Sequence, residues 1–345
     1  MPLVLGVMHY SQQPAASLQP PITSFALANV QQGYLQRGIA AWQRSEYALA
    51  EAQFALAAQH GASEAKTYLN YIQPWLAQVP DTSVITSKFR DWAANTCLQQ
   101  VVFVTAELTS LVQAQRFSQQ FAKDERLVSL PLCIAPQVLF VPSLFSCNAS
   151  AAQSRIACDI APLAPVLKDV QFSHLVIFTQ QGKAFVQNGI MYLDQHDTYD
   201  VLVHELAHFA GFVDEYPLSA ELAQRVCSSG EAPNMVFQYA NKKGVDWRYW
   251  QHLGQPQTSA LNPARTCDNH SSQAFKLSHE LTFMEYHDVR TIPRSYLVAW
   301  QNALRHPLYL TPAYLNFAQV LEQQNHPQAG YWRDRFSEYR QQNWQ

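Results

Sequence analysis

The sequence predicts an α+β fold with a mixed sheet, rather than a doubly wound parallel sheet. Short strand-like runs rich in apolar and β-branched residues are confined to the middle of the chain, and one long helical pattern follows the first of them. Helical patterns also fill most of the first third and the end of the chain. The strand-like runs are residues 100–104, 137–141, 174–178 and 184–193, and the helical patterns are residues 34–71, 108–121 and 312–342.

These patterns divide the chain into four parts. They are an apolar segment with Pro and Gln (1–25), a helical region (26–95), a central domain (96–292) and C-terminal helices (293–345). A chain of 345 residues is long enough for two domains. The first part is short for an export signal and has no basic residues at its start, so it is either the remnant of a signal or no signal at all.

The helical region is predicted to contain two amphipathic helices, from Tyr34 to Tyr71, with a break at His60-Gly61. The alanine-rich stretch 50–65 resembles one unit of a Sel1-like or tetratricopeptide repeat. Such repeats need about three stacked units for stability. A single unit is therefore expected to pack on the central domain or to bind a protein partner. The C-terminal helical pattern is interrupted at Pro327, which predicts a break in that region.

A further helix is predicted directly after the last strand-like run. Asp197 and Thr198 are favourable N-cap residues, and Gly211 can take the left-handed conformation that ends a helix. The run before this helix is interrupted at Asn188-Gly189. Residues 184–193 therefore form either one strand or a hairpin.

This helix carries His204, Glu205 and His208 in the spacing His-Glu-x-x-His. Residues i and i+4 lie on one face of a helix, so both imidazoles can bind the same ion. Glu205 lies beside that face and can accept a proton from water. Asp214, after the helix end, offers a third ligand and leaves a fourth position for water, as in a catalytic zinc site. The alternative is a buried helix whose histidines bond to the backbone.

The stretch from His204 to Asp214 resembles the elongated motif of the metzincin group of zincin metallopeptidases, His-Glu-x-x-His-x-x-Gly-x-x-His/Asp. Thr282-Phe283-Met284-Glu285-Tyr286 is similar to the Met-turn of those enzymes. The Asp-Glu-Tyr sequence ending at Tyr216, with Pro233-Asn234 and Trp247 after it, is also similar to the IgA-peptidase-like family, which usually has one more residue before it. The resemblance covers about residues 98–292.

This resemblance implies a zincin-like mixed sheet with an active-site helix. The order of the predicted elements, in which the strand-like runs precede that helix, agrees with this fold. It implies that Zn²⁺ is bound by His204, His208 and a carboxylate. The metzincin spacing gives Asp214 as that carboxylate, and Glu215 is the alternative.

The resemblance also implies roles for residues around the metal. Met284 is expected beneath the metal, and one phenol is expected to stabilise the oxyanion of the reaction. Tyr286 is the first candidate for that phenol and Tyr216 the second. Residues 184–193 are expected at the sheet edge, where the extended substrate binds, unless they form a simple hairpin.

Three functional hypotheses follow. The first is a zinc-dependent endopeptidase with Glu205 as general base and a peptide or protein as substrate. The second is a zinc hydrolase of a non-peptide amide. The third is a protein-binding module in which the helical segment 34–71 carries the function and the metal site is structural or decayed.

The six cysteines form no Cys-x-x-Cys motif, which argues against a second, structural zinc. Cys147–Cys158 and Cys227–Cys267 are candidate local disulfides among fifteen connectivities. Disulfides would favour a periplasmic or secreted protein, and free buried thiols a cytoplasmic one.

The composition bounds the partners. The formal net charge is −3 and there is no basic cluster, which argues against nucleic acid as a partner. No apolar run approaches the length that spans a membrane.

Overall fold

The computed structural model describes residues 22–78, 86–148, 155–258 and 260–342. Most of the N-terminal segment 1–25 therefore lies outside the described residues. The chain divides into two compact units, Met1–Asn70 and Tyr71–Gln345. The boundary between the units falls within a helix, and residues 96–292 and the C-terminal helices lie in the same unit.

Three helices occupy the start of the described chain: α1 (Ile22–Gln43), α2 (Tyr47–Gln59) and α3 (Ser63–Gln78). The prediction of two helices from Tyr34 to Tyr71 is therefore wrong in number, because this stretch contains parts of three helices. The additional break lies between α1 and α2, where Ser45 takes a φ of 61°. The predicted break at His60-Gly61 separates α2 from α3. Helices α1 and α2 pack together as a hairpin.

The second unit is built on a main sheet with the order β2-β1-β6-β8-β7, in which β3 also pairs with β1. Every pairing is parallel except that of β7 with β8. The central strands β1 and β6 are buried along almost their whole length, as expected where helices cover both faces of a sheet. The strands are β1 (Gln99–Thr105), β2 (Leu132–Ile134), β3 (Leu139–Phe140), β6 (His174–Phe178), β7 (Phe185–Gln187) and β8 (Ile190–Leu193), with β4 (Cys147–Asn148) and β5 (Ala157–Cys158) forming a separate ribbon.

Three predicted elements, two strands of this sheet and one helix, are confirmed. Strands are present at 100–104 and 174–178, and α4 (Leu108–Phe121) has the predicted bounds. The predicted strand 137–141 shortens to the two residues of β3, and β2 was not predicted.

Residues 184–193 form a hairpin, which settles the choice between one strand and two. Asn188 and Gly189 make the turn with φ values of 44° and 75°, the positive values of a tight two-residue turn. Strand β8, which directly precedes the next long helix, lies inside the sheet between β6 and β7. The expectation that all of 184–193 lies at the edge is corrected: only β7 does.

Helices and a small sheet follow the main sheet. Residues 217–281 carry two helices and the antiparallel sheet β10-β11-β9. The break near Pro327 is confirmed between the last two helices. The elements are α5 (Ala164–Leu167), α6 (Tyr199–Phe209), α7 (Ala220–Ser229), β9 (Met235–Gln238), α8 (Arg248–His252), β10 (Asn262–Ala264), β11 (Gln273–Lys276), α9 (Arg294–Leu304), α10 (Ala313–Gln323) and α11 (Ala329–Gln341).

All six cysteines are paired. The candidate pairs Cys147–Cys158 and Cys227–Cys267 are confirmed, and Cys97–Cys133 is the third disulfide. Cys227 and Cys267 lie in a buried cluster that joins α7 to the small sheet. Among the described helices, none combines the length and the apolar character that crossing a membrane requires.

Candidate metal centre

Helix α6 places the His-Glu-x-x-His residues. The Thr198 hydroxyl accepts a hydrogen bond from Val201 N and caps the helix, as predicted. Leu202 and Leu206 are fully buried and fix the helix in the core. Helical hydrogen bonding ends at Phe209, and Gly211 takes a φ of 84°, which few other residues adopt. The chain therefore leaves the helix and turns back beside the two histidines.

Three ligand atoms meet at this place. Nε2 of His204 and Nε2 of His208 are 3.1 Å apart, and Oδ1 of Asp214 lies 3.1 Å from the first and 3.2 Å from the second. Three atoms with these separations lie on a circle with a radius of about 1.8 Å. A zinc–imidazole bond is about 2.0–2.1 Å long, so the three atoms are close enough together for one zinc ion to bind them all.

Hydrogen bonds to backbone carbonyls orient both imidazoles. His204 Nδ1 donates to Phe283 O and His208 Nδ1 donates to Phe212 O, each over 2.8 Å. A carbonyl can only accept, so the proton of each neutral ring is on Nδ1 and the Nε2 lone pair faces the centre. This is the orientation that metal-binding histidines take from their outer partners. The bonds to the backbone that the alternative hypothesis invoked are present, and they leave both Nε2 atoms free to bind a metal.

While both rings are neutral, the third atom of the set has no hydrogen-bond donor. Asp214 Oδ1 is then buried without a partner among the described residues, and only a protonated His208 Nε2, 3.2 Å away, can donate to it. A buried carboxylate oxygen without a partner is costly, and two imidazole lone pairs face it. A cation in this position would satisfy all three atoms, so the donor set fits a metal ion.

The main chain around Asp214 is held on both sides. Its carbonyl accepts from Thr266 Oγ1 over 2.7 Å, and Asn234 bonds both the N–H and the C=O of Val213. Thr266 directly precedes Cys267, so the Cys227–Cys267 disulfide constrains the turn that holds the Asp214 carbonyl. Sequence reasoning did not identify Thr266, because a lone threonine 52 residues away carries no recognisable spacing.

The alternative third ligand, Glu215, points elsewhere. Its carboxylate accepts hydrogen bonds from Tyr296, Asn234 and Thr282. Lys276 Nζ lies 3.5 Å from Oε2 of the same carboxylate. The structure therefore brings Asp214, and not Glu215, to the two imidazoles.

Glu205 is 8% exposed, and one of its carboxylate oxygens lies within 4.8 Å of a nitrogen of each imidazole. It can therefore face a water molecule at the centre without being one of the three closest atoms.

The two candidate tyrosines differ in their surroundings. Tyr286 is 58% exposed and its ring stacks on His287. Tyr216 is 42% exposed as a whole residue. Burial of its phenol, followed by the charge of Asp214, a hydrogen bond to Asp214 and the charge of Glu205, raises the pKa of Tyr216 far above its usual value. The Tyr216 phenol is thus beside the centre. The assignment of the oxyanion phenol to Tyr286 stays a prediction. Met284 is fully buried.

The charges of the centre are strongly coupled. Burial alone would lower the pKa of His208, but the adjacent Asp214 carboxylate raises it to about 9. Burial alone would raise the pKa of Asp214, but the two imidazoles lower it well below its usual range. The site therefore strongly favours positive charge next to the Asp214 carboxylate.

Comparisons with known proteins identify no relative. The chain matches no protein-family model, no curated protein and no solved structure.

Proposed function

We propose that this protein is a zinc-dependent metallopeptidase with a zincin-like fold, in which His204, His208 and Asp214 hold Zn²⁺. The main support is that two Nε2 lone pairs and one carboxylate oxygen without a hydrogen-bond partner lie within 3.2 Å of one another. Two imidazoles and a carboxylate are a common ligand set of catalytic zinc, and they leave a coordination position open.

When bound, zinc supplies Lewis acidity, which polarises a carbonyl group and makes water acidic near neutral pH. The buried Glu205 carboxylate accepts the proton of the attacking water and then transfers it to the leaving nitrogen of the peptide. The nearby Tyr216 phenol, or Tyr286 as the sequence resemblance implies, donates a hydrogen bond to the oxyanion that forms from the carbonyl.

The edge strand β7 supports a peptide as the substrate. Within the described part of the chain it pairs with β8 alone, and it contacts the helix α6 that carries the two histidines. The second residue of the strand, Val186, stands opposite Met191 at a position where its N–H and C=O face away from β8. An extended peptide can add to such an edge through main-chain hydrogen bonds.

Export to the periplasm or the cell exterior is part of the proposal. Three disulfides pair all six cysteines, and such bonds persist mainly in oxidising compartments. A protein-binding role for the N-terminal helices stays a prediction.

The proposal is tested by measuring zinc content and peptide cleavage in both the wild-type protein and the Glu205→Gln variant. We expect about one zinc per chain in both proteins, because Glu205 is not among the three closest atoms. Chelator-sensitive cleavage of unfolded protein substrates is expected only in wild type. His208→Ala, which removes a ligand, should lose both zinc and cleavage.

Other outcomes separate the alternatives. Zinc binding with cleavage of small amides but not of peptides would favour the non-peptide hydrolase. Peptide cleavage that survives in Glu205→Gln would refute the assigned mechanism.

A further inference from the structure

Glu215 is the most completely engaged carboxylate beside the candidate centre. It is 1% exposed. Its Oε1 accepts from Tyr296 OH over 2.6 Å and from Asn234 Nδ2 over 3.0 Å. Its Oε2 accepts from Thr282 Oγ1 and faces the Lys276 ammonium group. A carboxylate is buried this deeply only where donors surround it, so these contacts fix its position.

The network ties together two segments that are distant in sequence. Glu215 N donates to Met284 O over 3.0 Å, in addition to the side-chain bond from Thr282. Between these two attachment points lies Phe283, whose carbonyl orients His204. Immediately before Glu215 lies Asp214. One residue therefore holds the carbonyl that orients the first histidine and the loop that supplies the carboxylate ligand.

We propose that Glu215 is a positioning residue of the metal centre, which keeps the Asp214 loop in register with the Thr282–Met284 turn so that His204 and Asp214 meet at one ion. The inference rests on the proposed function for the identity of the metal. It assigns Glu215 no contact with metal or substrate.

The second histidine provides an internal reference. His208 is oriented by Phe212 O, four residues further along the same chain segment, and this bond involves neither Glu215 nor the Thr282–Met284 turn. Loss of the Glu215 carboxylate should therefore loosen two of the three ligands, His204 and Asp214, and leave His208 in place. General destabilisation of the unit would not distinguish the two histidines.

Glu285 supplies a matched control. Its carboxylate bonds Lys276 Nζ over 2.5 Å, so Glu215 and Glu285 share the same lysine. Glu285 is the more exposed of the two, and the described contacts of its side chain do not include Thr282, Asn234 or Tyr296. The change Glu285→Gln thus removes the same charge from the same lysine without opening the network.

The experiment compares wild type, Glu215→Gln and Glu285→Gln in zinc affinity, measured by chelator competition on the full chain. We expect Glu215→Gln to bind zinc about 10- to 100-fold more weakly, the usual effect of losing an outer partner of a metal site. Glu285→Gln should bind as wild type does. Thr282→Val, which removes one donor and keeps the side-chain shape, should weaken binding in the same direction and serves if Glu215→Gln does not fold.

A spectroscopic readout tests the asymmetry. In the cobalt-substituted proteins, the paramagnetically shifted N–H proton of each ligand imidazole gives its own NMR signal. We expect the His204 signal to exchange faster with water in Glu215→Gln, while the His208 signal keeps its wild-type linewidth. Equal zinc affinity and two unchanged signals in Glu215→Gln would overturn the role of Glu215 alone. Absence of zinc binding in wild type would overturn the proposed function and this inference together.

Discussion

The turn of the β7–β8 hairpin leaves no room for a side chain. Gly189 has a φ of 75°, and a Cβ atom built on it would lie 2.2 Å from Ala313 N and 2.3 Å from the Pro312 carbonyl carbon. Both atoms belong to backbone at the start of α10, so neither can rotate away. We therefore expect Gly189→Ala to destabilise the second unit by two separate effects.

The magnitudes of these effects can be estimated. A left-handed conformation costs a non-glycine residue about 1–2 kcal/mol. Forcing an additional methyl group into packed surroundings costs about 1–3 kcal/mol. The free energy of unfolding should fall by about 2–5 kcal/mol in Gly189→Ala. Because the turn ends the proposed substrate edge, the KM for extended peptides should also rise.

Urea unfolding followed by fluorescence measures the change, with Gly244→Ala as the control. Gly244 has a φ of 81° and no atom within 4 Å of its built Cβ, so its substitution incurs the conformational cost alone. The two variants should differ by about 1–3 kcal/mol, the cost of the clash. Equal losses in both variants would refute the steric argument and indicate that the α10 start moves freely away from the hairpin.

Three further predictions concern the phenol, a disulfide and a buried histidine. Tyr216→Phe should lower kcat for peptide hydrolysis by about 10²-fold, the usual effect of losing an oxyanion donor. The loss should exceed that in Tyr286→Phe, because the Tyr216 phenol lies beside the centre. Steady-state kinetics of both variants measure the difference. Replacing Cys227 and Cys267 with serine removes a 40-residue cross-link, which should cost about 4 kcal/mol in urea unfolding and weaken zinc binding. Burial lowers the pKa of His174 to about 3. The unfolded chain then binds a proton below about pH 6.5 that the native chain does not, so stability falls with falling pH by about 1.4 kcal/mol per unit from this residue, and His174→Gln should remove that slope in unfolding measured from pH 7 to pH 4.

Each of these predictions has an outcome that contradicts it. A larger loss of kcat in Tyr286→Phe would return the oxyanion role to the turn tyrosine. The short Cys147–Cys158 cross-link of 11 residues serves as the disulfide control. Its removal should lower stability by about 3 kcal/mol without changing zinc affinity. Equal zinc affinities after removal of either disulfide would show that the Cys227–Cys267 bond does not hold the ligand loop. An unchanged pH slope in the variant would show that His174 does not titrate differently on unfolding.

The local pattern of apolar residues was sufficient to predict the elements whose apolar residues recur with a clear period. The strand at 174–178 and the helix Leu108–Phe121 were predicted with their observed bounds, because buried strands and amphipathic helices of this length have clear apolar spacing. The two-residue β3 and the three-residue β2 were predicted poorly or not at all. Strands this short form because β1 offers them an edge to pair with, and no spacing within them signals it.

The sequence by itself determined the helix of the candidate metal ligands, since its cap at Thr198, its stop near Gly211 and the alignment of His204 with His208 all follow from the geometry of one helix. Tertiary structure decided which of two adjacent carboxylates faces the histidines. The metzincin spacing favours Asp214, but contacts from distant segments, such as that of Tyr296, 81 residues from Glu215, are what turn the Glu215 carboxylate away from the histidines. The orientation of His204 likewise depends on a backbone carbonyl 79 residues away. A carbonyl is present in every residue, so its position at the site arises only when the chain has folded.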